Sequence, residues 1–578
     1  ESGWYSDDRG SAYVSHGLRT GNDYRTGGSQ GFDIPSSYNK QDFYTELKLK
    51  IDEQSRIEFN YLNTQINALE LPGIVYDLDN STNHQFNLRY VIQEDPEGVK
   101  QFVLQTWSSQ TVYSGDSTSS SKQRTFFEDF LTPTTPGREV VSTFGSGSLR
   151  THGARALATF GDIDDRTLTI GADWRSYTQR YEELDFTSTG DLAFDGNIYG
   201  IPKSTQNDFG LLAHSVLPAS DLWTFTFGGR LDFVFSSVNA DDSIVTAINP
   251  PDSPIYYPGL EERTHFLGMS YLTASREVTD SLKINGGVAF AMRPPSLPEL
   301  YQDEPYEPVY RFGNSFTDGL STLNPERNFQ IDLGFTETRE SVQFGGRAFH
   351  SNINDYIMAV PSSIYVIDPS ALTGTGLGRD FSQFPISARE DITSGFPNAD
   401  GAAAGYRYVN LDRVEIWGTD GFLEVQPRDG MSMRGTISYV QGINHSPVQT
   451  TYYDDPTPIS LGSSEPLPYI YPLNGTITTR IFDDETDRWS VSLITRLVAT
   501  QNRVAKSVSE LPTDGFIVLS LRSYVRPTKN WKLSLSLENL LDNNYRQHDS
   551  LAIVAPNGLP TFLQEPGFSV IVGSEITF

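Results

Sequence analysis

The chain has 8 histidines, and their spacing decides whether the sequence carries a linear metal-binding motif. They are His16, His84, His152, His214, His265, His350, His445 and His548. No two of them form an HxH or HExxH pattern, the spacings that present two imidazoles on one face of an element. The sequence therefore predicts solvated or hydrogen-bonded histidines and no metal centre of this kind.

Paired carboxylates are a second candidate for chemistry. Adjacent side chains of this type can hold Ca²⁺ in a loop, because Ca²⁺ takes carboxylate oxygens as ligands. Charge that is simply exposed to water in a loop explains the same pairs without a ligand. We therefore predict no cofactor. The pairs are Asp7-Asp8, Asp241-Asp242 and Asp454-Asp455.

Two glycine-rich runs, residues 145–148 and 374–378, are candidates for a phosphate-binding loop. A loop of that type follows a strand and opens a helix, and neither run does so. Serine, histidine and aspartate are all present, but no nucleophile-elbow pattern places a serine in a sharp turn. We predict that the protein is not an enzyme.

Tyrosines and one arginine in two polar segments are the best candidates for contact with a ligand. They are Tyr301, Tyr306, Tyr310, Arg311, Tyr452 and Tyr453. A tyrosine has a rigid apolar face and a polar tip, which suits it to hold a ligand in water. Packing of one loop against another would use the same rings. The sequence leaves both interpretations open for the group.

Charge and composition exclude several classes of protein. The 578 residues include 43 Lys and Arg against 73 Asp and Glu, a net charge of −30. That balance excludes a nucleic-acid binder, which needs cations to replace the counterions of phosphate. A count of 0 cysteines excludes disulfides and thiolate chemistry. No apolar run of roughly 18 residues occurs, so we predict no membrane-spanning helix.

Alternation of apolar and polar residues is the dominant pattern along the chain. It is present at residues 223–227, 282–290, 329–335, 517–521 and 531–538. Strict alternation places one face of a strand against an apolar medium and the other against water. We predict a nearly all-β protein whose inner, polar face includes both signs of charge. The predicted inner residues are Asp173, Arg175, Arg230, Asp232, Asp332, Arg347, Arg522 and Glu538.

Short polar turns alternate with long connections. The predicted turns lie at residues 52–55, 95–98, 162–165, 218–221, 277–280, 338–341, 427–430, 483–487 and 527–530. Two strands of ~10 residues and a long loop fit between successive turns. A transmembrane barrel has this rhythm, with short turns in the periplasm and long loops outside. These turns, an N-terminal strand near residues 11–18 and a C-terminal strand at residues 568–578 predict about 20 strands.

Aromatic positions agree with a barrel. Trp223, Trp489 and Trp531 each follow a short turn in phase with the apolar face, where they would form an interfacial girdle. Core tryptophans of a soluble β-sandwich are the alternative. The last strand ends in Phe578, and a terminal aromatic residue is what the outer-membrane assembly machinery is expected to recognise.

Four segments resemble, in order, motifs of TonB-dependent outer-membrane receptors. They are residues 289–301, 323–326, 417–421 and 537–545, with the motif residues Arg293, Pro294, Pro295, Pro325, Glu326, Asn539 and Asp542. Asp420 stands where the family usually has Glu. Proline cannot donate a ladder hydrogen bond, so Pro294, Pro295 and Pro298 are expected to end a strand and start an extracellular loop. Asn539 and Asp542 are expected to bond to nearby backbone at a strand end.

The resemblance implies an all-β, antiparallel transmembrane barrel of about 20–22 strands over residues 1–578. Its expected location is the outer membrane of a Gram-negative-type bacterium, among lipid and lipopolysaccharide. Members of the family carry an N-terminal plug preceded by a segment that binds the TonB complex. Nothing in this sequence resembles the plug, so we expect the plug and the first hairpin to precede Glu1 in a longer polypeptide. A strand count that is two short and a plugless closed barrel are the alternatives.

The function that this resemblance implies is TonB-dependent active uptake of a scarce small ligand into the periplasm. A ferric siderophore, another metal chelate, a cobalamin and a glycan all remain open as the ligand. The alternative is a plugless barrel that acts as a passive pore or as a structural part of an envelope complex. A soluble β-rich glycan-binding protein or enzyme is a third possibility.

Overall fold

The computed structural model describes residues 1–74, 76–93, 99–119, 140–161, 166–187, 198–239, 262–302, 306–309, 312–366, 402–446, 448–450, 459–461, 464–505, 508, 510–554 and 560–577. The strands in the first half are β1 (Ser2–Asp7), β2 (Gly10–Gly21), β3 (Tyr24–Arg25), β4 (Asp33–Ile34), β5 (Tyr38–Lys50), β6 (Ser55–Leu69), β7 (Asp77–Gln93), β8 (Val99–Asp116), β9 (Val140–Gly161), β10 (Thr167–Thr187), β11 (Ile198–Ser220), β12 (Trp223–Val238), β13 (Arg263–Glu277) and β14 (Leu282–Arg293).

The helix α1 (Leu297–Tyr301) follows β14. The remaining strands are β15 (Tyr306–Val309), β16 (Phe312–Asp318), β17 (Glu326–Arg339), β18 (Val342–Val366), β19 (Ala402–Arg428), β20 (Met431–Asn444), β21 (Val448–Thr450), β22 (Ile459–Leu461), β23 (Glu465–Pro466), β24 (Asn474–Phe482), β25 (Trp489–Val498), β26 (Phe516–Thr528), β27 (Trp531–Glu538), β28 (Ala552–Val554), β29 (Pro560–Phe562) and β30 (Ser569–Ile576). No helix in the part of the chain that the structure describes has the length and hydropathy needed to cross a membrane.

One sheet contains 24 of these strands. Three short ones, β15, β16 and β23, belong to its loop end, which leaves a wall of 21 strands among the described residues. Each wall strand pairs antiparallel with the next wall strand in chain order. The predicted all-β antiparallel architecture of about 20–22 strands is confirmed.

The wall has two edges in the described ladders, β1 and β30. β1 pairs with β2, and β30 pairs with β27. Because a meander of 21 strands ends in the direction in which it began, β1 and β30 run in the same direction. Their side chains are among the most exposed apolar ones in the wall, with Trp4 78% and Val572 75% exposed.

Short turns lie at one end of the wall and long connections at the other. Seven of the predicted turns join successive strands, and those at residues 95–98 and 162–165 lie outside the described residues. The sequence prediction missed a further turn, in which Asp7 Oδ1 accepts the backbone N–H of Arg9 at 2.8 Å and of Gly10 at 3.0 Å. β1 was missed with it, because alternation in its six residues is weak.

Several wall strands are much longer than the predicted ~10 residues needed to span a membrane. β11, β18 and β19 have 23, 25 and 27 residues. All three turn tightly at the short-turn end, so their extra length extends the wall at the loop end. The long strands thus carry the wall up to the bases of the long connections.

The two faces of the wall differ as the alternation predicts. On β17, Phe329, Ile331 and Leu333 are 47%, 47% and 62% exposed on the outer face. Trp223, Trp489 and Trp531 begin their strands directly after short turns and lie exposed on the same outer face. An apolar outer face with aromatic residues at its border matches a lipid-facing wall.

Candidate functional site

The connection after β14 folds back onto the inner wall through α1. β14 ends at Arg293, directly before Pro294 and Pro295. Pro298 lies in the first turn of α1, where the sequence had predicted the start of an extracellular loop. The helix forms because Ser296 caps it: Ser296 Oγ accepts from Glu299 N at 3.4 Å, and Glu299 Oε2 accepts from Ser296 N at 2.7 Å.

Side chains of α1 anchor this connection to the wall. Leu297, Leu300 and Tyr301 are at most 2% exposed. The hydroxyl of Tyr301 donates to Ser236 O on β12 at 3.2 Å, and Gln206 Nε2 on β11 donates to Pro295 O at 3.1 Å. Burial raises the pKa of the Tyr301 phenol, which keeps it protonated as a donor. The helix is thus held in a fixed position against the inner wall at the mouth of the barrel.

Arg293 connects two of the motif segments. Its guanidinium donates from Nη1 and Nη2 to Glu299 at 2.9 and 3.1 Å, and from Nε to Glu326 Oε2 at 2.7 Å. Glu326 Oε1 also accepts the backbone N–H of Ile357 on β18 at 2.8 Å. The planar guanidinium suits such two-sided recognition of carboxylates. The motif residues therefore tie β14, α1, β17 and β18 together at the loop end.

The inner wall carries a network of ion pairs across β10, β11 and β12. Arg230 Nη1 lies 2.5 Å from Asp173 Oδ2, and Arg230 Nη2 lies 2.6 Å from Asp232 Oδ1. To reach β10 from β12, the guanidinium crosses β11 at Gly210. A Cβ at Gly210 would stand 2.1 Å from Arg230 Nη2, so a larger residue there would force the guanidinium to move.

The other predicted inner charges also find partners or inner-face positions. Arg175 Nη2 lies 2.8 Å from Asp208 Oδ2, and Arg522 Nε lies 2.7 Å from Glu538 Oε1. Arg347 Nε lies 3.4 Å from Asp420 Oδ1. Asp332 lies on the inner face beside Gly287. A polar lumen with paired charges of both signs results.

A buried acid–histidine pair joins three connections at the mouth. Glu510 accepts the backbone N–H groups of Tyr469 and Ala505, each at 2.7 Å. His548 Nε2 lies 2.9 Å from Glu510 Oε1, and His548 Nδ1 lies 2.8 Å from Thr513 Oγ1. The side chains of Glu510 and His548 are each 1% exposed. Burial of both groups is tolerated because each has hydrogen-bond partners.

The turn after β27 is built around Asn539 and Asp542. Both residues have positive φ, 49° and 48°. Asn539 Nδ2 donates to Asn543 O at 2.9 Å, and Asp542 Oδ1 accepts from Phe568 N at 2.9 Å. Asn and Asp tolerate this backbone region and bond to nearby backbone, which explains both residue types here.

The structure locates part of the predicted ligand-contact set. Tyr301 is buried under the mouth, and Tyr306 begins β15. The remaining predicted residues lie outside the described residues: Tyr310, Arg311, Tyr452, Tyr453 and Phe578. Contact of the set with a ligand therefore stays a prediction.

Among the described residues, no group of three or more His, Cys, Asp or Glu residues has a metal-binding arrangement. His350 and His445 instead flank Glu415, with Nε2 atoms 2.6 and 2.9 Å from its carboxylate oxygens. The acidic pairs 241–242 and 454–455 and the run 374–378 lie outside the described residues.

Comparison with known proteins decides the family. The family model described as TonB dependent receptor-like, beta-barrel matches residues 3–540. The chain belongs to the TonB-dependent receptor family. It is therefore an outer-membrane β-barrel uptake receptor and not an enzyme, with short turns in the periplasm and long loops outside. A comparison with curated proteins finds no match.

Solved structures of other TonB-dependent receptors share the fold. The copper transporter OprC has 19% sequence identity and a TM-score of 0.75, covering 100% of this chain and 77% of its own. The FrpB iron transporter from Neisseria meningitidis has 13% identity and a TM-score of 0.65, covering 100% and 78%. The ferric yersiniabactin uptake receptor FyuA from Yersinia pestis has 13% identity and a TM-score of 0.64, covering 100% and 77%. At such identities the likeness shows the fold alone.

Sequence reasoning missed several residues that shape the receptor's mouth. Glu510 and His548 are 38 positions apart and carry no recognisable motif. Tyr76, Tyr181 and Glu183 also meet only in the folded wall. A signal for the last group existed in the glycine run at 145–148, since glycines inside a strand often mark the close approach of a large side chain.

Proposed function

We propose that this receptor captures a scarce metal chelate at its loop end and takes it up into the periplasm in a TonB-dependent step. The TonB complex would act through an N-terminal segment that precedes the barrel. The candidate ligands are a ferric siderophore, another metal chelate, a cobalamin and a glycan. Lipopolysaccharide and the outer-membrane assembly machinery are the proposed membrane partners.

One structural observation carries the proposal. The wall is apolar outside and lined with ion pairs such as Arg230 with Asp173 inside, and rigidly anchored connections stand over its mouth. A ligand that enters this mouth meets fixed polar groups, which suits a hydrophilic chelate too large for a narrow pore. The preference for a metal comes from proteins of similar structure, which include a copper transporter, an iron transporter and a ferric yersiniabactin uptake receptor.

Growth complementation tests the proposal. Cells that lack their own receptors are given the gene for the full chain and grown with one metal source at a time: ferric citrate, a ferric catecholate, a copper chelate or cobalamin. We expect growth on one metal source only when the receptor is present. Growth that is equal with and without the receptor on every source would contradict the proposal.

A further inference from the structure

The outer face of β9, β10 and β11 carries basic residues beyond its apolar rows, toward the loop end. Phe209 and Leu211 on β11 are 49% and 63% exposed, so the alternate positions of β11 that include them lie on the outer face. Residues that pair across an antiparallel ladder share a face, so the ladders assign the outer positions of β10 and β9 in turn. These positions define a basic surface formed by Arg150 on β9, Arg180 on β10 and Lys203 on β11.

The basic surface has little negative charge to offset it. Glu182 is the single acidic residue on the outer face of β9, β10 and β11 as the structure describes them, and it lies 3.7 Å from Arg180. Neither Arg150 nor Lys203 has an ion-pair partner among the described residues. The whole chain has a net charge of −30, so the charge of this surface is opposite in sign to that of the chain. Such an excess of positive charge favours a partner with anionic groups.

The height of the basic surface matches the headgroup layer of a membrane. Trp174 closes the apolar row of β10, and its indole Nε1 donates to Asn207 Oδ1 at 3.4 Å, as suits a tryptophan at the membrane border. Arg150 pairs with Thr178, which lies four residues beyond Trp174 on β10. At ~3.4 Å per residue Arg150 lies roughly 14 Å beyond that border along the strand, and strand tilt lowers its height. The long basic side chains can therefore reach the phosphates of outer-leaflet lipid.

Below Arg150, the lipid-facing wall has small side chains along β9. Its outer positions there are three alanines, Ala154, Ala156 and Ala158. Larger residues flank them on both sides: Leu104 on β8 pairs with the second alanine and Trp174 on β10 pairs with the first. A shallow groove thus runs along β9 toward Arg150, with the shape to hold an acyl chain whose headgroup lies at the basic surface.

We propose that Arg150, Arg180 and Lys203 bind the phosphates of one lipopolysaccharide molecule, with an acyl chain of its lipid A in the groove along β9. Arg150 and Lys203 lie two strands apart and differ by two residues in height, so their Cα atoms are on the order of 12 Å apart. Lipid A carries a phosphate at each end of a disaccharide, which suits two separated cations better than the single phosphate of phosphatidylglycerol. Guanidinium groups also bind phosphate through two parallel hydrogen bonds.

The site gives a position to the lipopolysaccharide that is proposed above as a membrane partner. It rests on the outer-membrane location of the barrel and not on the ligand that the lumen takes up, because its residues lie on the outside of the wall.

Native mass spectrometry tests the site. The purified full chain, washed free of lipid in detergent, is titrated with diphosphorylated lipid A, and the lipid molecules bound per chain are counted. We expect one tightly bound lipid A per chain. Its affinity should fall ~10-fold or more in the double variant Arg150→Gln with Lys203→Gln, because each basic side chain near a lipid surface contributes to binding. The matched control is Arg155→Gln, on the same strand but on the inner face, where Arg155 Nε donates to Gln105 Oε1 at 2.9 Å; lipid A binding should be unchanged.

Other probes distinguish the sources of phosphate. In the unmodified chain, dephosphorylated lipid A and phosphatidylglycerol should each bind ~10-fold or more weakly than diphosphorylated lipid A, and inorganic phosphate should not bind measurably. Equal affinity of the double variant and the unmodified chain for lipid A would overturn the site. Equal binding of either comparison lipid, or no binding of lipid A, would also overturn it.

Two controls keep these outcomes separate from folding and from uptake. Heat modifiability on electrophoresis gels shows whether each variant barrel is folded, and the comparison of lipids on the unmodified chain tests the site even where a variant does not fold. Failure to bind lipid A would leave the uptake proposal intact, because growth on a metal source is measured separately. Absence of TonB-dependent uptake with intact lipid A binding would do the reverse.

Discussion

Arg293 Nε donates to Glu326 Oε2 at 2.7 Å and so joins the end of β14 to the start of β17 across a connection of more than thirty residues. The same guanidinium holds Glu299 of α1. Two sequence motifs that identify the family thus act as one clamp on the mouth. The clamp explains why a strand-ending arginine and a strand-starting glutamate occur together in this chain.

Replacement of Arg293 by lysine should loosen α1. Lysine keeps the charge but loses the fork that serves two carboxylates at once. Because Arg293 is partly exposed, we expect a local loss of only about 1 kcal/mol. Hydrogen exchange at Leu300 and Gln302 should rise several-fold. Arg347→Lys is the control, because its partner Asp420 lies 3.4 Å away and both side chains are about half exposed. Equal exchange rates of the Leu300 and Gln302 amides in Arg293→Lys and Arg347→Lys would contradict the clamp.

Gly210→Ala should displace the guanidinium of Arg230. The new Cβ would stand 2.1 Å from Arg230 Nη2, so the guanidinium would have to move and its contact with Asp173 would weaken or break. We expect a loss of about 1–3 kcal/mol in the free energy of unfolding, measured by urea titration in detergent micelles. Gly435→Ala is the control, because nothing lies within 4 Å of its added Cβ. Equal losses in the free energy of unfolding for Gly210→Ala and Gly435→Ala would contradict this interpretation.

In Glu510→Ala, the connections at the mouth should unfold at a lower temperature than the strands of the wall. It removes the acceptor of the Tyr469 and Ala505 amides and of His548, and unsatisfied buried donors cost about 1–3 kcal/mol each. In differential scanning calorimetry we expect an additional transition at lower temperature. In a parallel protease assay we expect faster cleavage in the loops. Glu424→Ala removes only an exposed carboxylate 3.9 Å from Arg434 and should change nothing. A single unchanged transition in Glu510→Ala would refute this role.

The connection between β29 and β30, which contains Glu565, should be more stable at low pH. Burial raises the pKa of the Glu565 carboxyl above 4.5, and Asp549 raises it further. A group with a raised folded pKa contributes its full stability below the unfolded pKa and loses it as pH rises through the folded pKa. The Glu565 amide donates to Tyr545 O at 2.9 Å. Its hydrogen exchange, corrected for intrinsic rates, should therefore become faster as pH rises through the folded pKa of the Glu565 carboxyl. Glu565→Gln should abolish the dependence, and its persistence there would assign it to another group.

The wall could be predicted from the sequence because its cause is local. Alternation such as Phe329, Ile331 and Leu333 needs only a lipid-facing side, and turn residues such as Asp483 fix their own backbone through hydrogen bonds to Thr486. β1 was missed because its six residues hold too few apolar positions to show alternation. An edge strand is specified by its pairing with β2 as much as by its own sequence.

The mouth could not be predicted because its contacts join distant residues. Tyr76 reaches Glu183 over 107 positions, and Gln206 reaches Pro295 over 89. Such contacts depend on the register of several strands, which hydrophobic periodicity does not encode. The prolines after Arg293 correctly ended β14, but a capping box between Ser296 and Glu299 turned the expected loop into α1.

Energised uptake is the central claim, and accumulation of radiolabelled ferric citrate, ferric catecholate, copper chelate and cobalamin tests it most directly. The measurement compares cells that carry the full receptor with and without a functional TonB complex. The external concentration of each compound is kept low, so that accumulation can proceed against a gradient. We predict that one of these compounds accumulates against its gradient only when TonB is active. Entry at the same rate with and without TonB, stopping when the concentrations are equal, would contradict energised uptake and make the protein a passive pore.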